Sequence, residues 1–184
     1  MAKIRREQPR IEVEIVASNE IRDLRRREAD IAIRNARPVQ PDLIARQVGE
    51  DLATFYATEE YLDRLGRPSC PADFSDADFI GFERNDMLMS QMNAMGFDLT
   101  IGNFPVVSAN HFVHWELVKQ SVGIGVFPMH MGDRERGLRR ILPDLDPITF
   151  PVWLAAHQDL ATSRRIRLVF DLLALALRSP GAPP

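Results

Sequence analysis

The chain has one cysteine, Cys70, in 184 residues. An intrachain disulfide is therefore excluded, which fits a reducing compartment and removes the small disulfide-stapled scaffolds. Long hydrophobic runs are missing too. The longest, residues 168–177, contains Asp171 and is too short to cross a bilayer. The first ten residues hold four basic or acidic side chains before Pro9 and no apolar stretch of the kind a secretory signal needs. The expectation is a cytoplasmic protein with no membrane partner. An excess of positive charge is also lacking: the net charge is -3, whereas a domain built to grip DNA is more often basic. Catalytic signatures are absent as well. There is no Gly-x-Ser-x-Gly elbow, no phosphate loop and no paired-carboxylate pattern. Cys70 lies between Ser69 and Pro71, with nothing beside it to favour a thiolate. The expectation is therefore no enzyme, no catalytic residue and no cofactor.

What is present is 45% hydrophobic residues, enough for one domain or two small lobes. Residues 2–8 read as the end of a helix stopped by Pro9. Ile11, Glu12, Val13, Glu14 and Ile15 alternate apolar and charged, the period of a half-buried strand. Ser18 and Asn19 are capping residues for a polar helix over 19–29, and residues 31–33 form a short apolar strand. Strand, helix, strand is a βαβ unit and predicts a parallel sheet. Two strands are expected at 43–48 and 52–57, then a helix over 59–65 capped by Thr58 and closed by Gly66 and Pro68. Residues 71–77 read as a short helix and 79–82 as a strand. The methionine-rich stretch 84–103 shows no clear period. Strands at 105–107, 124–127 and 151–156 follow, and residues 138–142 lie before Pro143. Ser108 and Asn110 are candidate caps of a helix to about Val122, and Thr162 and Ser163 cap a last amphipathic helix through Leu177. Strands alternating with helices give an α/β class. The chain leaves one sheet near residue 51 and returns near 150, which predicts lobe one from 1–51 plus 150–184 and an inserted lobe two from 52–149.

Several segments, in order along nearly the whole chain, resemble the effector-binding (substrate-binding) domain of LysR-type transcriptional regulators. They are Arg26 to Arg34 followed by Pro41-Asp42-Leu43, Phe55 to Leu62 with Gly66 and Pro68, Val122 to Pro128, and Pro151 to Leu154 with Ser163 to Arg167. The resemblance implies a two-lobed, periplasmic-binding-protein-like (type II) fold with an effector cleft between the lobes, and side-by-side pairing of two copies. By the same resemblance, the family's helix-turn-helix, first strand and most of its first helix are not in this chain, so the first lobe is expected to be incomplete. Residues 11–16 are expected to slide inward and pair in parallel with 31–33, the alternative being a detached edge. The chain is expected to bind no nucleic acid directly.

An effector held between lobes needs polar groups at strand ends and helix N-termini, where free backbone N–H groups suit an anionic ligand. Three places fit: Ser18 after the first strand, Arg34 and Asn35 after the second, and Ser108, Asn110 and His111 at the start of the second-lobe helix. The resemblance implies cleft positions for Ser18, Asn35, Ser108 and Asn110, with Asn35 and Asn110 facing each other from opposite lobes. Each also reads as a plain cap or turn residue. His111, His114 and His130 lie near Met129 and Met131, but no further ligand completes a set, so structural roles are the better reading and no metal is expected. Arg25 to Arg27 and Arg134 to Arg140 are interleaved with acids and read as solvated faces. The expected function is sensing of a small-molecule effector. The alternatives are a solute-binding protein of a transporter, or a non-functional gene fragment or mis-started reading frame.

Overall fold

A computed structural model describes residues 1–17, 29–82, 85–159 and 163–177. The chain divides into two compact units: Met1–Asp51 with Thr149–Pro184, and Leu52–Ile148.

Unit one begins with α1 (Ala2–Glu7), which ends at Gln8 because Pro9 has no N–H to continue it. The Arg5 guanidinium donates to the carbonyls of Pro9 and Ile11 at 3.2 and 2.7 Å, pinning the chain after the helix. Residues 11–17 form no strand, contrary to the alternating pattern. Alternation marks two faces but supplies no hydrogen-bonding partner, and Ile15 and Val16 are left exposed. Strand β1 (Ile31–Arg34) is present, but it pairs antiparallel with β7 (Ile148–His157), in a register running from Ile31 opposite Ala156 to Arg34 opposite Trp153. Among the described residues β7 is its only strand partner, so neither the parallel βαβ pairing nor the inward slide of 11–16 is seen. Ser18 and nearly all of the expected 19–29 helix lie outside the described residues.

Strand β2 (Leu43–Thr58) lies on the other side of β7, and Gln158 N–H donates to Asp42 C=O at 3.0 Å where the two begin to pair. Over them lies α6 (Arg164–Ala176). Its Ile166, Phe170, Leu173 and Leu177 recur at helical spacing, and Phe170, Leu173 and Leu177 pack with Ala174, Val48, Leu154, Ile31 and Val152. The two strands expected at 43–48 and 52–57 are one. Gly49, Glu50 and Asp51 look like a break, but the backbone runs through them and only its partners change. In unit two, β2 pairs antiparallel with β5 (Gly125–Pro128) on one side and with β6 (Leu138–Arg140) on the other. Phe55 and Ala57 enter one hydrophobic cluster and Tyr56 another, so both faces of the strand are covered and residues 53–58 are all buried, hence the unbroken rather than alternating pattern.

Unit two continues with α2 (Glu59–Arg64). Thr58 Oγ1 accepts from Tyr61 N–H at 3.2 Å, and the helix closes at Gly66 in the left-handed region at φ +83°. A single 3-10 turn, Pro71–Phe74, stands where a longer helix was expected. The methionine-rich stretch becomes α3 (Asn85–Ala94), with Met92 fully buried. It covers a core of five phenylalanines, Phe55, Phe74, Phe79, Phe97 and Phe104. A second cluster joins Tyr56, Ile80, Val118, Phe127 and Leu138.

Tyr56 also anchors α5 (Met129–Gly132). A Cβ on Gly132 would lie 2.2 Å from the Tyr56 ring, so only glycine lets the helix come this close. The Tyr56 hydroxyl donates to Asp133 Oδ1 at 2.8 Å, and Arg140 grips the same carboxylate through Nε and Nη2. Burial, then Asp133, pushes the Tyr56 phenol up to about 12. The Arg140 hydrogen bond, helped by Tyr56, holds the Asp133 carboxyl below the usual carboxylate range. A carboxyl depressed in the folded state stabilises the fold above its unfolded value and stops doing so as pH falls through the folded one. Asp133→Asn is therefore expected to lower the melting temperature at neutral pH, with the gap to the parent protein closing below about pH 4. Melting curves at pH 3 to 8 check this, and a pH-independent gap would show that the charge is not what holds α5.

Candidate functional site

Two short parallel strands build the first candidate site, inside unit two. Strand β3 (Ile80–Gly81) pairs with β4 (Val106–Val107), with Ile80 opposite Val106. On the other side of β3, Ile80 N–H donates to Ile124 C=O and Ile124 N–H to Asp78 C=O, both at 2.8 Å. The approach is close enough that a Cβ on the preceding residue, Gly123, would sit 2.7 Å from the Asp78 carbonyl oxygen. The carboxyl ends of β3 and β4 thus emerge side by side at Phe82 and Ser108, held by Ser108 N–H donating to Gly81 C=O at 2.9 Å. Open parallel strands bind ligands beyond such ends.

Helix α4 (His111–Lys119) starts three residues later. Asn110 is its N-cap: Oδ1 accepts from Phe112 N–H at 2.9 Å. Ser108 Oγ accepts from Asn110 N–H at 3.1 Å. Asn110 is the cap that was expected, whereas Ser108 holds the turn before the helix and caps none of its N–H groups. With these oxygens committed to the backbone, the hydroxyl proton of Ser108 and the amide protons of Asn110 remain for a ligand, and both are donors.

His111 and His114 stand at the same helix start with their rings against Phe82, at centroid distances of 5.0 and 4.4 Å. His114 is fully buried, and its Nε2 lies 2.7 Å from the Ser108 carbonyl oxygen. A carbonyl can only accept, so Nε2 carries the proton and Nδ1 is an acceptor; Nδ1 is buried and unpartnered. Burial lowers the His114 pKa, and burial together with neighbouring His114 lowers that of His111. Both rings are then neutral at pH 7. His114 carries the local structure, and sequence reading singled out only His111 of the pair for the site. Among the described residues no group of three or more histidine, cysteine or acidic side chains could hold a metal ion.

In unit one, Arg34 ends β1 half-buried, and Asn35 follows it exposed. Opposite Arg34 in the register is Trp153, with the Arg37 guanidinium 5.7 Å from the centre of its indole. Trp153 and Arg37 were not foreseen as site residues. A register across β1 and β7 brings them to Arg34, and no local pattern encodes that register. The Arg134–Arg140 cluster is partly spent on ion pairs, Arg139 with Glu59 and Arg140 with Asp133.

Comparison with known proteins fits this arrangement. The family described as the LysR substrate binding domain matches residues 1–178. The chain belongs to that family. As a LysR substrate-binding domain it is the effector-binding part of a LysR-type regulator, and its fold is the type II periplasmic-binding-protein-like fold. Solved structures of the same kind superpose on it. The regulatory domain of CrgA, a LysR-type transcriptional regulator from Neisseria meningitidis, matches at a TM-score of 0.81 and 23% identity, covering 96% of this chain and 89% of that one. The CcmR regulatory domain of Synechocystis PCC6803 in complex with 2-PG matches at 0.74 and 19%, covering 98% and 90%. The AmpR effector domain of Pseudomonas aeruginosa matches at 0.71 and 19%, covering 95% and 86%. No match is found among curated proteins. Among the described residues of this LysR substrate-binding domain, no helix is long and apolar enough to cross a membrane.

Proposed function

We propose that this LysR substrate-binding domain senses a small anionic effector, without catalysis, in the cytoplasm and as a pair of copies, and that it makes no direct contact with nucleic acid. The observation that carries the anionic reading is the set of unspent groups where β3 and β4 end. The Ser108 hydroxyl and Asn110 amide each have the oxygen engaged by a backbone N–H and O–H or N–H donors still to give, and they sit at the positive end of the α4 dipole. A carboxylate or phosphate matches those donors and the dipole end beside them. The CcmR domain holds 2-PG in its own structure, in keeping with a small effector. Binding acts by population shift: an effector that prefers one conformation moves the equilibrium by its differential affinity for that state.

Small carboxylates and phosphates are expected to raise the melting temperature saturably, since they bind the folded form. Asn110→Ala should weaken the best of them about tenfold. Binding restricted to neutral sugars, or an Asn110→Ala protein with parental affinity, would overturn the assignment.

Pairing of copies is supported by α4, which exposes Phe112 (68%) and Val113 (42%) on its outer surface, more apolar area than a solvated helix presents. Sedimentation is expected to show a dimer at high micromolar concentration and a monomer for Phe112→Glu. A parent protein that is monomeric throughout would remove this part of the reading.

A further inference from the structure

Buried polar atoms in folded proteins nearly always have a partner, and those that lack one call for an explanation. In unit one, two such atoms attach to the turn between β1 and β2 and the strand facing it. Trp153 Nε1 is buried without an acceptor, and Gln40 Oε1, on the turn itself, is buried without a donor. Trp153 stands opposite Arg34 in the β1–β7 register, and directly opposed residues of an antiparallel pair project to the same face. Arg37 lies over the indole, 5.7 Å from its centre, within range of a cation–π contact.

The indole and the guanidinium beside it call for one kind of missing group; the Gln40 oxygen lacks a donor and is no part of it. An indole N–H can only donate, so what it lacks is an acceptor. A water molecule would satisfy a neutral donor, but the cation beside the same ring favours an acceptor that is negatively charged. The way in is short. Residues 35–37 are exposed and Val39 is 87% exposed, so the turn is a thin cover. Arg37 is itself exposed and reaches the ring from that turn, so its long side chain can change rotamer without unfolding β1 or β7.

We propose that unit one holds an oxyanion site in which Trp153 Nε1–H and the Arg37 guanidinium together take a carboxylate or phosphate group. Resting on the reading that the domain takes acidic effectors, it gives such a group a second and independent set of donors, wholly within unit one. Arg37 then changes role on binding: it leaves the face of the indole and becomes one arm of a charge-assisted clamp.

The indole proton reports directly on the test. The chain has two tryptophans, Trp115 and Trp153, so a nitrogen–proton correlation spectrum of the full chain shows two indole signals, assigned with Trp115→Phe. The protein is titrated with sodium acetate and with sodium phosphate at constant ionic strength, and with acetamide as the neutral control. The Trp153 indole proton is expected to move downfield saturably with at least one anion, while acetamide leaves it in place. In Arg37→Gln, where the exposed side chain is lost without cost to the fold, the midpoint should rise about tenfold, as for removal of one charge-assisted hydrogen bond. Should Trp115→Phe fail to fold, Trp153→Phe assigns the signals by subtraction. A Trp153 signal that stays fixed while the same anion raises the melting temperature would overturn the unit-one site and leave the effector reading standing. A saturable Trp153 shift alongside unchanged affinity in Asn110→Ala would do the reverse. A shift that is linear in anion is non-specific, and a shift equal in Arg37→Gln does not involve the guanidinium; either overturns the site.

Discussion

Phe79→Ala is expected to cost unit two about 3–5 kcal/mol, the range for emptying a buried aromatic position. Phe79 is 2% exposed and lies at the centre of the phenylalanine core, with ring centroids 6.3 Å from Phe55, 6.0 Å from Phe97 and 5.9 Å from Phe104. Two of the three contacts are edge-to-face, the arrangement the ring quadrupole favours. Alanine leaves a cavity that three other rings cannot fill without leaving each other. The effect should reach function, because Phe79 directly precedes β3, which places Gly81 and Phe82 against Ser108 and the two histidines. Thermal melts are expected to show a fall of about 15 °C or more for a unit of this size, and any anion-induced rise should shrink with it. Phe112→Ala, at an exposed position, is the control and should change monomer stability by less than about 0.5 kcal/mol. A Phe79→Ala protein within about 1 kcal/mol of its parent would mean that the core repacks and that β3 is held by other means.

Asn103→Ala is expected to cost about 3 kcal/mol, by a different route. Asn103 is 7% exposed and acts as a four-way connector. Its Nδ2 donates to the carbonyls of Ser75 and Ala77 at 2.6 and 2.9 Å, and its Oδ1 accepts from the Thr100 amide and hydroxyl at 2.8 and 3.2 Å. Alanine removes little volume but strands backbone groups, and Ala77 is fully buried, where an unpaired carbonyl finds no water. Asn103→Asp separates hydrogen bonding from size. The carboxylate keeps both acceptor contacts but turns an oxygen toward two carbonyls, so it should be at least as damaging as alanine at pH 7. Protonated, it can donate to one of them. Its folded pKa is then raised, so stability gained at low pH is lost as pH rises through that value. Urea denaturation at pH 4.5 and pH 7.5 checks this. An aspartate variant equally stable at both would show that the Nδ2 contacts contribute nothing.

Much of this was legible in the sequence where the determining forces are local. Thr58 and Asn110 were readable as caps because a cap is fixed by a side chain and the two or three residues after it. The last helix was readable from the spacing of Ile166, Phe170, Leu173 and Leu177. Legibility failed where a distant partner decides the outcome. Residues 11–16 carry a strand's alternation but no ladder. Gly49 to Asp51 carry a break's composition, yet β2 continues through them because β7, β5 and β6 hold the backbone on either side. The direction of β1 depends on β7, more than a hundred residues later, and so does the meeting of Arg34, Arg37 and Trp153. The helix α3 was hidden because its methionines are adaptable gap-fillers and leave a weak periodic signature. Of the candidate site, the Ser108–Asn110–His111 segment could be read, but the burial of His114 and the orphaned indole could not.

The strand order β1-β7-β2 has a consequence for biosynthesis. Unit two is one uninterrupted segment, Leu52–Ile148, and all its partners are available once that segment has been made. Unit one is split, and among its described strands β7, which lies between β1 and β2, is the last to leave the ribosome. Until β7 arrives, β1 and the first half of β2 have open inner edges, exposed backbone of the kind that recruits a neighbouring chain. Closing the gap also means joining pieces separated by the whole of unit two, so the entropy of that loop falls on unit one alone. A released chain ending at Ile148 should therefore carry a folded unit two beside an aggregation-prone first segment. The return of β7 is the step that closes those edges.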